Sequence, residues 1–405
     1  MPQNSKLPII VIFTTVVLDS MGIGIIIPVM PALFAEVTGS AKISDIAVWG
    51  GLLASTFALM QFIFGPILGA LSDKYGRKPI LLLALFFMAA YYLLMGLAQT
   101  LWLLFIGRLI GGITAATHAT ANAYMADISV PEEKAARFGM LGAGFGLGFV
   151  LGPLIGGVLG ELGPRAPFFV AAILAASNGV LCFFVLRESL EVKNRREFMW
   201  HRANPIGAIL DLRKFDGIYP LLLVFLLFTI GTSIYAAIWP FFTVERFEWS
   251  PSMIGISLTI YGVCFAIVQG VLVRPAIKIW GENKTIIIGF CIEFSAMVTF
   301  AFLTNGKILI MLIPLASLGV LAQPAIQAIL SKSVGDDRQG AIQGVASSLN
   351  AIAMVITPIT MTWVLAVFSD KTTKYYFPGM PFLVSAFMVL LCLLIISRRK
   401  QVITP

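Results

Sequence analysis

The chain has 405 residues, of which 59% are hydrophobic and only 12% are charged. Soluble proteins carry about 25% charged residues, so this composition excludes a soluble protein and indicates that most of the surface faces lipid. The formal net charge of +8 comes from loop residues and does not predict a nucleic-acid partner.

Hydropathy predicts an all-α membrane protein whose twelve transmembrane helices form two pseudo-symmetric six-helix bundles. Each apolar run is near or above the ~20 residues that a helix needs to cross a bilayer. The N-terminal bundle is predicted over residues 1–190, a cytoplasmic linker over 191–217 and the C-terminal bundle over 218–405. The predicted spans are 8–34, 48–71, 80–98, 101–126, 138–159, 168–186, 218–243, 253–273, 285–303, 309–330, 341–368 and 377–396.

Lys and Arg concentrate in alternate loops, in the linker and at both ends of the chain, whereas the opposite loops carry few of them. By the positive-inside rule, both termini are therefore expected in the cytoplasm. Within the linker, residues 205–215 are expected to form a short helix that lies at the membrane surface.

Asp19 stands in the middle of the first predicted span, in a stretch rich in glycine and proline that indicates a bent, closely packed helix. A charged group at a helix centre costs about 2.5–3.5 kcal/mol on insertion scales, so it needs a partner or a role. Two interpretations stay open. Asp19 forms a structural hydrogen bond to a neighbouring helix, or it faces a cavity and binds a proton or a cationic group of a substrate.

A charged segment over residues 65–80 separates the second and third spans. Gly69 and Gly76 are expected to allow close backbone approach and a sharp turn. Asp73 is expected to cap or pair at a helix end, and Arg77 and Lys78 to hold the turn at the membrane surface. The simplest interpretation is a positively charged loop between two membrane helices.

The fourth predicted span carries Arg108 and, ten residues later, His118. Arginine stays protonated in proteins, so Arg108 provides a fixed positive charge, either for an acid such as Asp19 or for an anionic substrate. Histidine exchanges protons readily near pH 7. A lone histidine on an apolar helix is nevertheless also consistent with a neutral packing role.

The fifth predicted span contains a run of small residues that permits close helix contact, and a proline that removes one backbone hydrogen bond. Ordinary tight packing would explain these residues without any further role. They are Gly148, Gly152, Pro153, Gly156 and Gly157.

Glu293 is the only acid deep in a predicted span of the second half. An ionisable residue at this depth indicates a functional site. Glu293 is therefore the first candidate for a group that gains and loses a proton during transport.

Residues 69–78 follow the pattern G-x-L-x-D-K-x-G-R-K. This pattern resembles the signature that members of the major facilitator superfamily carry between their second and third helices, where it acts as a conformational latch. The small residues of the fifth span resemble the signature of exporters in the same superfamily. The chain as a whole is similar to the tetracycline/proton antiporters and their multidrug relatives.

The resemblance implies roles for particular residues. Asp19, Arg108 and Glu293 would belong to the transport pathway, Asp73 and Arg77 to the latch, and Gln269 would match a glutamine of the eighth helix. Two positions depart from the tetracycline pumps. Phe265 stands where those pumps carry a proton-linked histidine, and Tyr91 stands where they carry an acid. Proton coupling would then depend on Asp19, Glu293 or His118, and an aromatic cavity would suit a different hydrophobic or amphipathic substrate.

The resulting prediction is a secondary transporter that exports a drug, antibiotic or metabolite by proton antiport. Its partners would be a small-molecule substrate, protons and the lipid bilayer, with no cofactor and no metal, and the chain would be a monomer of the bacterial inner membrane. The alternatives are a dedicated metabolite or siderophore exporter, or an uncoupled facilitator, of the same fold. A membrane enzyme or receptor is disfavoured, because the sequence shows no phosphate-binding loop and no large segment outside the membrane.

Overall fold

The computed structural model of the chain describes residues 6–115, 117–200, 217–335 and 338–398. Eleven helical stretches in these residues are long and apolar enough to cross a membrane, and the stretch Leu101–Asp127 comprises two helices, Leu101–Thr114 and Thr117–Asp127. The longest, Pro251–Phe302, has 52 residues and is broken at Gly281, where φ is 74° and ψ is 166°. Taken as two helices, it brings the number of spans to twelve, as predicted.

The twelve helices are labelled in chain order, and their ends differ by several residues from the hydropathy estimates. They are α1 Leu7–Thr38, α2 Ile43–Tyr75, α3 Arg77–Leu97, α4 Leu101–Asp127, α5 Pro131–Gly160, α6 Ala166–Val185, α7 Tyr219–Phe247, α8 251–280, α9 282–302, α10 Gly306–Lys332, α11 Gln339–Ser369 and α12 Met380–Arg398.

Three of these helices contain a short segment of different helical geometry. A 3₁₀ turn over Ile27–Val29 interrupts α1 in the stretch that was predicted to bend. A π-helical turn over Val268–Leu272 interrupts α8, and a 3₁₀ segment over Ser317–Leu321 interrupts α10. Such segments often mark hinges or functional sites, so α8 and α10 are the helices of the second half to inspect first.

The chain forms two compact units. The described residues of unit 1 lie in 6–40, 56–200 and Trp249–Thr259, and those of unit 2 lie in 41–55, 217–248 and 260–398. These units depart from two sequential halves in two places, because the first residues of α2 belong to unit 2 and the first residues of α8 belong to unit 1. The expected surface helix over 205–215 lies outside the described residues.

The main helix pairs are equivalent in the two units. In unit 1, α1 packs mainly on α5, and α3 packs mainly on α6. In unit 2, α7 packs mainly on α11, and the stretch Val273–Phe302, which includes α9, packs mainly on α12. The first residues of α2 pack closely on α11, where the hydroxyl of Ser55 donates to the carbonyl of Val355 at 2.5 Å. Glycine allows the backbones of α2 and α11 to approach closely, since a Cβ at Gly51 would lie 2.5 Å from the carbonyl oxygen of Pro358.

Candidate functional site

The charged segment between α2 and α3 forms an ion-pair network centred on Arg77. Its Nη1 donates to Asp73 Oδ1 at 2.6 Å and to Ser72 Oγ at 3.1 Å, and its Nε donates to Asp127 Oδ2 at 3.1 Å. The Arg77 side chain is only 12% exposed, so salt and water screen these contacts less than at an open surface. Arg77 therefore joins the end of α2 to the end of α4.

Glu188, which follows α6, caps the beginning of α3. Its carboxylate accepts hydrogen bonds from the backbone N–H of Arg77 at 2.7 Å and of Lys78 at 3.2 Å. Gly76 precedes α3 with a φ of 111°, and a Cβ at this residue would lie 2.6 Å from the carboxyl carbon of Glu188. Only glycine leaves room for this cap, and the carboxylate is favourable because it lies at a helix N-terminus.

The expectation of a turn over residues 65–80 is wrong in its extent. Helix α2 continues through Tyr75 and α3 begins at Arg77, so Gly76 alone interrupts the helices. Gly69 lies within α2, and no atom lies within 4 Å of the position that its Cβ would take. Gly69 thus makes no close backbone approach in this structure, whereas Lys78 donates from Nζ to the carbonyl of Phe183 at 2.8 Å.

The connection between α8 and α9 repeats this geometry in unit 2 with the charges reversed. Gly281 has a positive φ at the break, as Gly76 has between α2 and α3. Glu282 Oε1 accepts a hydrogen bond from Lys332 Nζ at 2.5 Å, and Lys332 ends α10 as Asp127 ends α4. Both bridges join residues fifty positions apart, which is consistent with an internal repeat.

Replacement of Arg77 by Gln is expected to reduce the transport rate about tenfold or more. Each charge-assisted hydrogen bond contributes about 1.5–3 kcal/mol, and glutamine would leave Asp73 and Asp127 without their shared cation. The measurement is the initial rate of substrate uptake into vesicles, normalised to the amount of protein in the membrane. Lys74→Gln is the matched control, because Lys74 is exposed and its contact is with the neighbouring Tyr75 ring. A wild-type rate in Arg77→Gln would remove any latch role from this network.

The small residues of α5 bring its backbone into direct contact with α1. A Cβ at Gly152 would lie 2.6 Å from the carbonyl oxygen of Met21, and one at Gly156 would lie 2.6 Å from the carbonyl carbon of Ile25. Gly148 faces α1 in the same way, against the backbone of Val17. Close contact of two backbones is the arrangement that small residues permit in membrane helices.

Pro153 and Gly157 lie on the part of α5 that contacts the first turns of α8, within unit 1. A Cβ at Gly157 would lie 2.7 Å from the carbonyl oxygen of Pro251, and one at Gly255 would lie 3.2 Å from the carbonyl carbon of Pro153. The hydroxyl of Thr259 donates to the carbonyl of Val150 at 3.1 Å. The five residues singled out in α5 therefore hold α1 and the start of α8 against one helix.

Glu161, next to the end of α5, holds the N-terminus of α8. Its Oε1 accepts a hydrogen bond from the backbone N–H of Ser252 at 3.2 Å. Hydrogen bonds from Ser250 and Ser252 lower the pKa of the Glu161 carboxyl, so this group stays an anion at a helix N-terminus, where negative charge is favourable.

Asp19 and Arg108 both lie in unit 1, but no ion pair joins them. Asp19 lies beside Thr117 of α4, and neither Asp19 Oδ1 nor Thr117 Oγ1 has a hydrogen-bond partner. Arg108 Nη2 donates to the thioether sulfur of Met30 at 3.6 Å, while its Nε is buried without a partner. The structural role foreseen for Arg108, as the partner of Asp19, therefore does not occur in this structure.

Tyr91 lies next to Arg108. Its ring centroid is 6.0 Å from the guanidinium carbon of Arg108, and its hydroxyl is buried without a hydrogen-bond partner. The ring packs on Tyr92 at 4.8 Å and on Phe57 at 6.2 Å. His118 is exposed on α4, with its ring centroid 5.4 Å from that of Phe145, so its contact is aromatic rather than with Asp19.

Glu293 lies in α9 and is the one carboxyl group buried near the middle of a span among the described residues of unit 2. It is 2% exposed, and its Oε1 has no hydrogen-bond partner. The Tyr235 hydroxyl faces the carboxyl closely enough to interact with it as a hydrogen-bonding group, and Tyr261 lies within electrostatic range of it. Gly319, in the 3₁₀ segment of α10, faces this group, because a Cβ at Gly319 would lie 3.2 Å from Glu293 Cδ.

Gln269 and Phe265 lie near the irregular part of α8. Gln269 belongs to the π-helical turn over Val268–Leu272. Phe265 is 37% exposed, and its ring centroid is 6.2 Å from that of Tyr261, which is in turn 6.1 Å from that of Tyr235. A row of three aromatic rings therefore leads from Phe265 towards Glu293.

Sequence reasoning missed several groups that complete these arrangements. Asp127 shares Arg77 with Asp73, Glu188 caps α3, and Gly319 makes room for Glu293. Asp127 directly follows the fourth predicted span, so the sequence could have indicated it as a possible partner of a loop cation such as Arg77. Glu188 and Gly319 carry no comparable signal in the sequence. Folding brings Glu188 to Arg77, which lies more than a hundred positions earlier, and brings Gly319 to Glu293, which lies about twenty-five positions earlier.

The model of the Major Facilitator Superfamily matches this chain twice, over residues 12–237 and 221–402. "Tetracycline resistance protein, class C" of Escherichia coli is 37% identical over 396 residues, which is 98% of each chain. "Multidrug resistance protein 2" of Bacillus subtilis (strain 168) is 28% identical over 367 residues, which is 88% of each chain.

Solved structures give the same fold. The crystal structure of a bacterial homologue of the human lysosomal transporter Spinster superposes with a TM-score of 0.78 at 14% identity and covers 97% of both chains. The two matches of the family model and the full-length similarity to the class C protein cover nearly every described helix. The chain is therefore a membrane transport protein and not an enzyme, and it belongs to the major facilitator superfamily, in the branch of the tetracycline resistance proteins.

Proposed function

We propose that this protein exports a small amphipathic compound from the cytoplasm in exchange for protons. The two units would expose a substrate site to one side of the membrane and then to the other, as in other transporters built from repeated bundles. We further propose that the chain acts as a monomer in the inner membrane of a bacterium, with both termini in the cytoplasm. The resistance proteins to which it is similar support a drug or another amphipathic compound as substrate.

The observation that carries this proposal is the environment of Glu293. A negative charge on a buried carboxyl group without a cationic partner is unfavourable in free energy inside an apolar bundle. Binding a proton removes that charge, and release of the proton requires a state in which water or substrate reaches the group. A carboxyl in this position therefore suits a site whose occupancy by a proton differs between two conformations.

Coupling to one proton would supply sufficient free energy for efflux. A proton that enters the cell down a membrane potential of about 100 mV contributes about 2.3 kcal/mol, and each pH unit contributes about 1.4 kcal/mol. One proton per substrate would thus maintain a concentration ratio of roughly a few hundred. Asp19 and His118 remain the other groups in the spans that could carry the proton.

A dedicated exporter of a metabolite is the second candidate. Two features favour it over tetracycline export. Phe265 is a half-exposed apolar ring at the position implied for a proton-linked histidine, and Tyr91 is a buried phenol at the position implied for an acid. Both changes replace polar ionisable groups by aromatic rings, which suits a more hydrophobic substrate.

Uptake into everted membrane vesicles tests the proposed function. Vesicles acidified inside by respiration should accumulate tetracycline or the cationic dye rhodamine 123, and nigericin should release the accumulated compound by dissipating the pH gradient. Vesicles from cells that lack the protein provide the baseline. Uptake that persists after nigericin would indicate an uncoupled facilitator, and the absence of uptake of both compounds would favour the dedicated exporter.

A further inference from the structure

We propose that Arg108 and the Tyr91 hydroxyl form a binding subsite for an anionic group of the transported compound. The substrate class would then be organic anions that carry a carboxylate or sulfonate on an apolar or aromatic body. The inference rests on the proposed transport function and specifies which compounds it accepts.

The charge of Arg108 has no anionic partner in the part of the chain that the structure describes. No carboxylate lies within ion-pair distance of it among the described residues. Its Nε is buried without a hydrogen-bond partner, and Nη2 reaches only the sulfur of Met30, a weak acceptor. An unpaired guanidinium inside a transmembrane helix is unfavourable by several kcal/mol, and an anion from the substrate would relieve this.

The Arg108 guanidinium lies against two aromatic rings. Its carbon lies 5.7 Å from the ring centroid of Phe57 and 6.0 Å from that of Tyr91. Two glycines of α4 allow close packing here. A Cβ at Gly111 would lie 2.9 Å from the Tyr91 ring, and one at Gly112 would lie 2.5 Å from the backbone carbonyl oxygen of Phe57. The planar fork of the guanidinium matches the two oxygens of a carboxylate or sulfonate.

The Tyr91 hydroxyl is the buried donor beside Arg108. Tyr91 is 1% exposed, and its hydroxyl has no partner among the described residues. Unsatisfied buried donors are rare in native structures and require an explanation. An oxyanion bound at Arg108 would give the Tyr91 hydroxyl an acceptor.

A bound anion at Arg108 would interact with the Asp19 carboxyl. Asp19 and Arg108 both lie within electrostatic range of Tyr92, so a negative charge at Arg108 would also interact with Asp19. An anion would bind more tightly when Asp19 is protonated, and coupling through Asp19 would therefore favour movement of proton and anion in the same direction. Exchange of a proton for an anion then depends on Glu293 in unit 2, the group on which the proposed function rests, or on His118.

Two dyes with the same ring system and opposite charge test this subsite. Fluorescein is an anion at pH 7.5 and rhodamine 123 is a cation. Their binding to the purified full-length protein in detergent is measured by fluorescence anisotropy. The wild-type protein should bind fluorescein, Arg108→Gln should weaken that binding at least about tenfold, and Arg108→Lys and Tyr91→Phe should weaken it by smaller factors.

A variant that reverses the charge preference distinguishes loss of the subsite from misfolding of the protein. Tyr91→Asp places a carboxylate beside the guanidinium, so this variant should lose fluorescein binding and bind rhodamine 123 more tightly than the wild type. Two results would overturn the subsite: a wild-type protein that does not bind fluorescein, or an Arg108→Gln variant that binds it as the wild type does.

The test separates failure of the subsite from failure of the proposed function. Arg108-dependent binding of fluorescein without uptake driven by a pH gradient would support the subsite and reject proton exchange. Uptake of rhodamine 123 driven by the gradient, with unchanged rate in Arg108→Gln, would reject the subsite and support proton-driven export. Lys74→Gln should bind fluorescein with wild-type affinity, because Lys74 is exposed and its contact is with the neighbouring Tyr75 ring.

Discussion

Glu293→Gln is expected to abolish accumulation of substrate against a gradient and to preserve exchange of substrate for substrate. Glutamine has nearly the size of glutamate, so it fits the space beside Gly319 and keeps the packing of α9 on α10. It cannot release a proton, however, so the inner pH no longer affects the substrate cycle. A concentration ratio of roughly a few hundred should fall to about one, while counterflow should proceed at a rate near that of the wild type.

Two vesicle measurements distinguish these outcomes. Accumulation is measured in respiring vesicles, which maintain both a pH gradient and a membrane potential, and counterflow is measured with substrate on both sides and no gradient. Glu245→Gln is the matched control, because Glu245 is a carboxylate of unit 2 that lies near the end of α7 and pairs with Tyr376 and Lys371. Glu245→Gln should retain accumulation. Uphill transport by Glu293→Gln would exclude Glu293 as the coupling group and would make Asp19 the next candidate for that role.

Gly156→Val is expected to prevent α5 from packing on α1 and to leave little folded protein. The Cβ of any larger residue would lie 2.6 Å from the carbonyl carbon and 2.8 Å from the Cα of Ile25. These are backbone atoms, so a change of rotamer cannot relieve the overlap and the two helices must separate. The free energy of unfolding should fall by about 3 kcal/mol or more, at the upper end of the range for overpacked cores.

Gly146→Val provides the control for this substitution. Gly146 lies on the same helix, and no atom lies within 4 Å of the position of its Cβ. The amount of monodisperse protein and its thermal unfolding in detergent should be close to wild type in Gly146→Val and strongly reduced in Gly156→Val. Equal stability of the two variants would show that α1 and α5 can separate without loss of the fold.

Each unit has an interhelical ion pair at an equivalent place, at Arg77 in unit 1 and at Glu282 in unit 2, with the charges reversed. In unit 1 the cation precedes the acid along the chain, as Arg77 and Asp127, and in unit 2 the acid precedes the cation, as Glu282 and Lys332. Lys332 is 68% exposed, against 12% for Arg77. Because exposed ion pairs contribute about 0–1 kcal/mol, the unit 1 bridge should be the stronger of the two.

Much of the architecture follows from the sequence alone. Twelve apolar runs require twelve helices, because a backbone in lipid must satisfy its own hydrogen bonds. The charged pattern at residues 69–78 places Asp73 and Arg77 at the end of a span, four positions apart, where a pair within one segment can form locally. The rarity of ionisable groups in the spans was sufficient to single out Asp19, Arg108 and Glu293.

Tertiary structure decided which groups these residues meet. Hydropathy cannot show that Asp127 shares Arg77 or that Glu188 caps α3, because these contacts join residues far apart in the chain. It also cannot show that Arg108 lacks a carboxylate partner among the described residues, since that depends on the rotation of α4 relative to α1. Periodicity and composition fix which segments enter the membrane. The close backbone contacts permitted by Gly152 and Gly156, and the space that Gly319 leaves for the Glu293 side chain, fix which groups face each other.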